Sequence, residues 1–185
     1  MKTIFLVIGK TTDKRILQLT DEYISRIGHY MPFEMQVIPE LRNAKSLSQE
    51  QQKSQEAELL KRQLQQGDHI VLLDEHGHEH RSMDFAQWIG KRMSAAPRRL
   101  VFIVGGPYGF APEIHKMAQE EISLSQMTFS HQMIRLLFAE QVYRAMTILR
   151  GESYHHEYAC TLRASGLNVT GFGWEDSSPL LAPQL

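Results

Sequence analysis

The chain has 185 residues, 42% of them hydrophobic and 22% charged, with a formal net charge of −1. That length supports one substantial core, and near neutrality excludes a protein that coats nucleic acid non-specifically, because such binding is largely electrostatic. A single cysteine, Cys160, excludes an internal disulfide framework and points to a reducing compartment.

The opening run MKTIFLVIGK is too short to span a membrane and lacks a small-residue cleavage site, so Lys2 to Gly9 reads as a buried strand. No other stretch approaches the length of a span, and a cytoplasmic protein is expected. Asp13 caps a helix from about Lys14 to Gly28, with Ile16, Leu17, Tyr23, Ile24 and Ile27 near helical spacing. FEMQVIP gives a second strand, stopped by Pro39. Ser46 to Gln66 is polar and reads as an exposed helix with a narrow stripe of Leu59, Leu60 and Leu64. DHIVLLDEHG carries a third strand, Ser82 to about Ser94 a helix, and RRLVFIVGGPYGF a fourth strand running into a glycine turn. A short helix over Glu113–Glu120, a strand in EISLS and a long helix from His131 to Arg150 follow. Strands alternating with helices predict an α/β fold with a mainly parallel sheet of five or six strands. The stretch from Tyr158 to Leu185 has no sustained periodicity and reads as an appendage to a domain over 1–157.

In open parallel sheets ligands settle outside the carboxyl ends of the strands. Three such ends stand out: Leu72–Gly77, Val104–Gly109 and Leu124–Phe129. The glycine turn has neither the Walker sequence nor dinucleotide spacing, so it is either a bare turn or a backbone cradle. A ligand such as an adenine between Leu73, Met127 and Phe129 would suit it. His76, His78 and His80 alternate as metal ligands do in a strand, but Gly77 interrupts them and a solvated loop is the favoured reading; no metal is expected. Asp74 and Glu75 are adjacent, so they point to opposite faces rather than forming an acid–base pair.

The long helix starts with polar residues and is apolar around most of its remainder. His131, Arg135, Phe138, Val142 and Met146 share one side, and a helix so apolar needs more than one surface against it, a second subunit being one source. Glu140 and Arg144 have the spacing of a local salt bridge. Arg135 on an apolar face calls for an anionic partner. Tyr154, His155 and His156 could serve as acid, base or base-stacking groups, or be ordinary surface residues.

Taken together, LLDEHG, FIVGGPYGF and SLSQMTFSHQMIRLLFAEQVYRAMTILRGESYHHE resemble the ribosomal large-subunit methyltransferase H family of the SPOUT superfamily, over Met1 to about Glu157. The resemblance implies an α/β knot with a C-terminal trefoil, a homodimer, and S-adenosyl-L-methionine bound by Leu73, Gly105 and the run Leu124, Ser125, Gln126, Met127, Thr128 and Phe129. It implies methylation of N3 of a 23S rRNA pseudouridine in the assembled ribosome. For that chemistry Arg135 is expected to stabilise the developing imide anion, with His131 shaping the helix start. His155 or His156, with Tyr154, is expected to assist from the partner subunit. Short basic patches such as Lys91, Arg92, Arg98 and Arg99 would suffice for a dimer that recognises the ribosome's shape. Two alternatives stay open: a non-catalytic ribosome-assembly factor, and a related enzyme acting on tRNA.

Overall fold

The computed structural model describes residues 1–95 and 97–155. His156 and the appendage expected over 158–185 fall outside those residues. Five strands, β1 (Lys2–Ile8), β2 (Phe33–Ile38), β3 (Asp68–Glu79), β4 (Arg99–Val104) and β5 (Glu120–Ser123), form one parallel sheet in the order β2-β1-β4-β3-β5. Helices α1 (Lys14–Ile27), α2 (Gln49–Lys61), α3 (Ser82–Ala95) and α4 (Pro112–Met117) connect successive strands, and α5 (Met133–Arg150) follows β5.

The inner strands carry unbroken apolar runs over 4–8, 70–73 and 100–104 because helices cover both faces. Phe5, Val7, Phe102 and Val71 point toward α1, α3 and α5. Ile4, Leu6, Ile8, Leu72 and Ile103 point toward α2 and α4. Phe138 of α5 is fully buried between Phe5 and Phe102, with ring centroids 4.7 and 4.8 Å away. Its burial contributes about 1.5–3 kcal/mol. Asp13 caps α1 by accepting from the backbone N–H groups of Arg15 and Ile16, as expected.

Three expectations are corrected. The helix expected to be exposed over 46–66 is shorter, begins with a capping box between Ser48 and Gln51, and buries Gln52, Glu56, Ala57 and Leu60. Two polar residues can face the sheet because Gln52 Nε2 donates to Glu56 Oε1 at 2.8 Å, so each supplies part of the other's hydrogen bonding.

The histidine segment is a continuation of β3, not a solvated loop. The strand bulges so that both Leu73 and His78 pair with Ile122. A Cβ on Gly77 would come within 2.6 Å of the Ile122 backbone, so only glycine permits the approach. His76 stays exposed, while His80 packs beside Phe85 and Trp88, and burial lowers its pKa. The long helix, finally, begins at Met133; His131 precedes it in a turn.

Candidate active site

At the carboxyl ends of β3, β4 and β5 the sheet opens into a cavity of about 760 Å³, within the usual range for small-molecule sites, roughly 300–1,000 Å³. Because these strands are parallel neighbours, the three segments singled out in the sequence converge there. Leu73, Gly105, Leu124, Ser125, Met127, Thr128 and Phe129 all line the cavity; Gln126 does not.

Backbone and hydroxyl groups hold the walls. In the glycine turn, Gly109 N–H donates to Gly106 O at 3.1 Å. In the opposite wall, Ser123 Oγ donates to Ser125 O at 3.0 Å and Met127 N–H to Ser125 Oγ at 2.9 Å. Tyr108, Met127 and Phe129 line the cavity and are 47%, 75% and 37% exposed. Large apolar side chains left in water on facing walls are what a flat, partly apolar ligand would cover. At the α4 end of the cavity, His115 Nδ1 and Glu121 Oε1 lie 2.6 Å apart. Nothing local in the sequence marks that pair.

The polar start of the long helix serves two purposes. Gln132 Oε1 accepts from the backbone N–H groups of Thr12 at 2.9 Å and Asp13 at 3.1 Å. Arg135, 1% exposed, donates to Ile8 O at 2.6 Å and Thr11 Oγ1 at 2.9 Å. Together they clamp the loop that follows β1. His131, by contrast, is exposed and lines the cavity, as does Ile134. Arg135 therefore has a different setting from the one expected: it is buried and does not line the cavity. Its charge is met by a carbonyl and a hydroxyl, and burial lowers its pKa while Glu40 opposes that shift.

A second cluster forms where the chain turns back after α5. Tyr154 Oη donates to Glu140 Oε1 at 3.1 Å and lies 3.3 Å from Tyr23 Oη. Arg144 Nε donates to Glu140 Oε1 at 3.1 Å, and its guanidinium sits 4.9 Å from the Tyr154 ring centroid. Arg144 Nη1 reaches His155 Nδ1 at 3.5 Å. Burial, then the Tyr23 contact and Glu140, raises the Tyr154 pKa strongly, so the phenol is a donor at neutral pH. The Glu140–Arg144 salt bridge is thus more than the local pair its spacing suggested. None of these residues lines the cavity.

The basic patch expected on the surface is partly committed: Arg92 Nε donates to Glu120 Oε1 at 3.0 Å and Arg99 Nε to Asp68 Oδ1 at 2.8 Å. Among the described residues, no group of three His, Cys, Asp or Glu side chains is placed to hold a metal ion, and no helix is long and apolar enough to cross a membrane.

A doubly covered parallel sheet, with a cavity at its carboxyl rim walled by a glycine turn and exposed apolar side chains, defines an α/β protein with a site for a small organic ligand. The family described as predicted SPOUT methyltransferase matches residues 1–155, and the chain belongs to that family. Proteins named ribosomal RNA large subunit methyltransferase H are similar to it. That of Phocaeicola vulgatus is 58% identical over 157 residues, covering 85% of this chain and 100% of the relative. That of Parabacteroides distasonis is 57% identical with the same coverage. The relative from Christiangramia forsetii is 52% identical over 155 residues, 83% of this chain and 99% of its own. Methyltransferases of this kind use S-adenosyl-L-methionine in general, and the cavity's size, its backbone-lined turn and its exposed apolar walls fit that molecule.

Proposed function

We propose that this protein transfers a methyl group from S-adenosyl-L-methionine to N3 of a pseudouridine in 23S rRNA, acting as a homodimer on the assembled ribosome in the cytoplasm. The names and high identity of its relatives support the substrate class. The observation that carries the reading is the convergence of Leu73, Gly105, Leu124, Ser125 and 127–129 on one cavity at the sheet's carboxyl rim. The trefoil threading belongs to the same proposal, with α5 lying against both α1 and α3 after the wall segment that follows β5.

When bound, the cofactor supplies an electrophilic methyl group on sulfur. Leu73, Met127 and Phe129 would hold its adenine, with Gly105, Leu124, Ser125 and Thr128 shaping the rest of the pocket and Gln126 at its edge. Orientation of donor and acceptor is worth up to about 7–11 kcal/mol of the barrier. Pseudouridine N3–H lies between two carbonyls and must give up its proton to solvent water as N3 takes the methyl group, so charge develops on the flanking oxygens. His155 is suited to meet it. Arginine only donates, so the His155 Nδ1 facing Arg144 accepts, and the neutral ring carries its proton on Nε2. That Nε2 is buried in the single subunit and has no partner among the described residues, so its donor is uncommitted. It can donate to a developing oxyanion, and Tyr154, held by Glu140 and Tyr23, can stack or donate beside it.

Glu140 lies six residues beyond Ile134, about 9 Å along the helix axis, and its cluster is outside the cavity. The reading therefore brings Tyr154 and His155, with His156, to the cavity from the partner subunit. His131 faces the cavity directly, and Arg135 acts as a positioning residue. Incubation with labelled S-adenosyl-L-methionine and either ribosomes or tRNA from cells lacking the enzyme tests this. Label at N3 of one 23S pseudouridine is expected. Label on tRNA overturns the substrate, and bound cofactor with no label on any RNA favours a non-catalytic factor.

A further inference from the structure

The His115–Glu121 pair lies in the cavity, and neither residue belongs to the three segments on which the proposed function rests. β5 pairs with β3 so that Glu121 stands beside Leu72, one step before Leu73 stands beside Ile122. Ile122 points into the core shared with α5, so Glu121 points to the opposite face, where α4 presents His115. The two side chains are 32% and 37% exposed, neither sunk in the core nor swinging freely in water.

Nδ1 faces a carboxylate and so carries a proton, which it donates to Glu121 Oε1. Glu121 Oε2 and His115 Nε2 are engaged by no other described residue. Glu121 thus offers a carboxylate acceptor, held in place by the bond to His115, in the cavity wall formed by α4 and β5. A carboxylate is the group that proteins commonly set against ribose hydroxyls.

Resting on the cofactor reading above, we propose that Glu121, braced by His115, binds the vicinal 2′,3′-hydroxyls of the ribose of the adenosyl ligand. The chemical logic is complementarity. Leu73, Met127 and Phe129 suit the flat base, and the diol, with two donors, needs two acceptors that those side chains lack. His115 acts here as a positioning residue, and the two carboxylate oxygens are the acceptors.

The test is calorimetric titration of the full chain with S-adenosylhomocysteine and with its 2′-deoxy and 3′-deoxy analogues, using wild type, Glu121→Gln, Glu121→Ala and His115→Phe. Wild type should bind the parent ligand roughly tenfold more tightly than each deoxy analogue, the effect of one hydrogen bond to a charged group. Glu121→Ala should bind the parent about tenfold more weakly and show little preference among the three ligands. Glu121→Gln, which keeps the shape, should lose part of that preference, and His115→Phe should lose several-fold in affinity. Thermal melts of each variant establish that it is folded. Retention of full hydroxyl discrimination by folded Glu121→Ala overturns the assignment while leaving the cofactor reading standing. Failure of wild type to bind S-adenosylhomocysteine at all overturns both.

Discussion

The carboxylate of Glu56 lies directly against the α-carbon of Gly106: a Cβ on that glycine would come within 2.3 Å of Glu56 Oε2. Helix α2 thereby supports the cavity's glycine turn from behind, since Gly106 faces the cavity on its other side. Gly106→Ala should destabilise the protein by about 1–3 kcal/mol through overpacking and weaken S-adenosylhomocysteine binding by shifting the turn. Adding Glu56→Ala removes the obstructing atoms, so the double variant should regain part of both losses. Urea denaturation and calorimetry on the four proteins of the cycle measure the coupling; strictly additive effects would show that the contact does not transmit to the turn.

Glu56 also makes stability depend on pH. Its side chain is buried and Oε2 has no partner among the described residues. Burial raises its pKa, the Gln52 hydrogen bond opposes the rise, and Glu40 adds to it. A carboxyl whose folded pKa lies above its unfolded value binds its proton more tightly in the folded protein. Its contribution is therefore present at low pH and lost as pH rises through the raised pKa. Glu56→Gln, permanently neutral, should melt higher than wild type at about pH 8 and lose that advantage toward about pH 4. Melting curves across that range decide it, and a constant difference between the two proteins would assign the effect to packing.

The strands were legible in the sequence because helices on both faces demand unbroken apolar runs such as IFLVI and LVFIV. The convergence of Leu73, Gly105, Leu124, Ser125 and 127–129 was legible because parallel neighbours bring their carboxyl ends to one rim, although Gln126 within that run does not line the cavity. What escaped depends on contacts between distant positions. Arg135 and Ile8 are 127 residues apart, and Tyr154 and Tyr23 are 131 apart. An arginine on an apolar helix face announces a buried partner without saying that the partner is a loop carbonyl. Likewise Gln52 and Glu56 look like solvent residues until their mutual hydrogen bond allows them to be buried.

Arg135 holds the loop after β1 by two hydrogen bonds, and Arg135→Met would leave Ile8 O and Thr11 Oγ1 without these donors. A loss of about 2–3 kcal/mol in stability is expected, the value of hydrogen bonds to a charged group. Because the side chain is buried away from the cavity, methyl transfer at saturating cofactor and ribosome should fall less than stability does. Comparing kcat with KM at a temperature where the variant is fully folded separates the roles. A kcat loss of several orders of magnitude in a folded Arg135→Met protein would instead place the guanidinium at the reacting base.

If Tyr154 and His155 act on the cavity of the partner subunit, two inactive variants should complement each other. Gly105→Val damages the cavity, where even a Cβ would meet Phe110 and the Gly109 backbone at 3.2–3.3 Å. His155→Ala damages the other cluster and leaves the cavity intact. In a mixed dimer, one site joins the damaged cavity to the damaged cluster, and the other joins two undamaged halves. Random assortment makes half the dimers mixed, each with one working site of two, so co-expression should restore about a quarter of wild-type activity. His155→Ala alone should bind S-adenosylhomocysteine as wild type does, whereas Gly105→Val should not. If co-expressed variants stay as inactive as either alone, both groups serve the same subunit's site, and the chain after Gly151 must then move to reach the cavity of its own subunit.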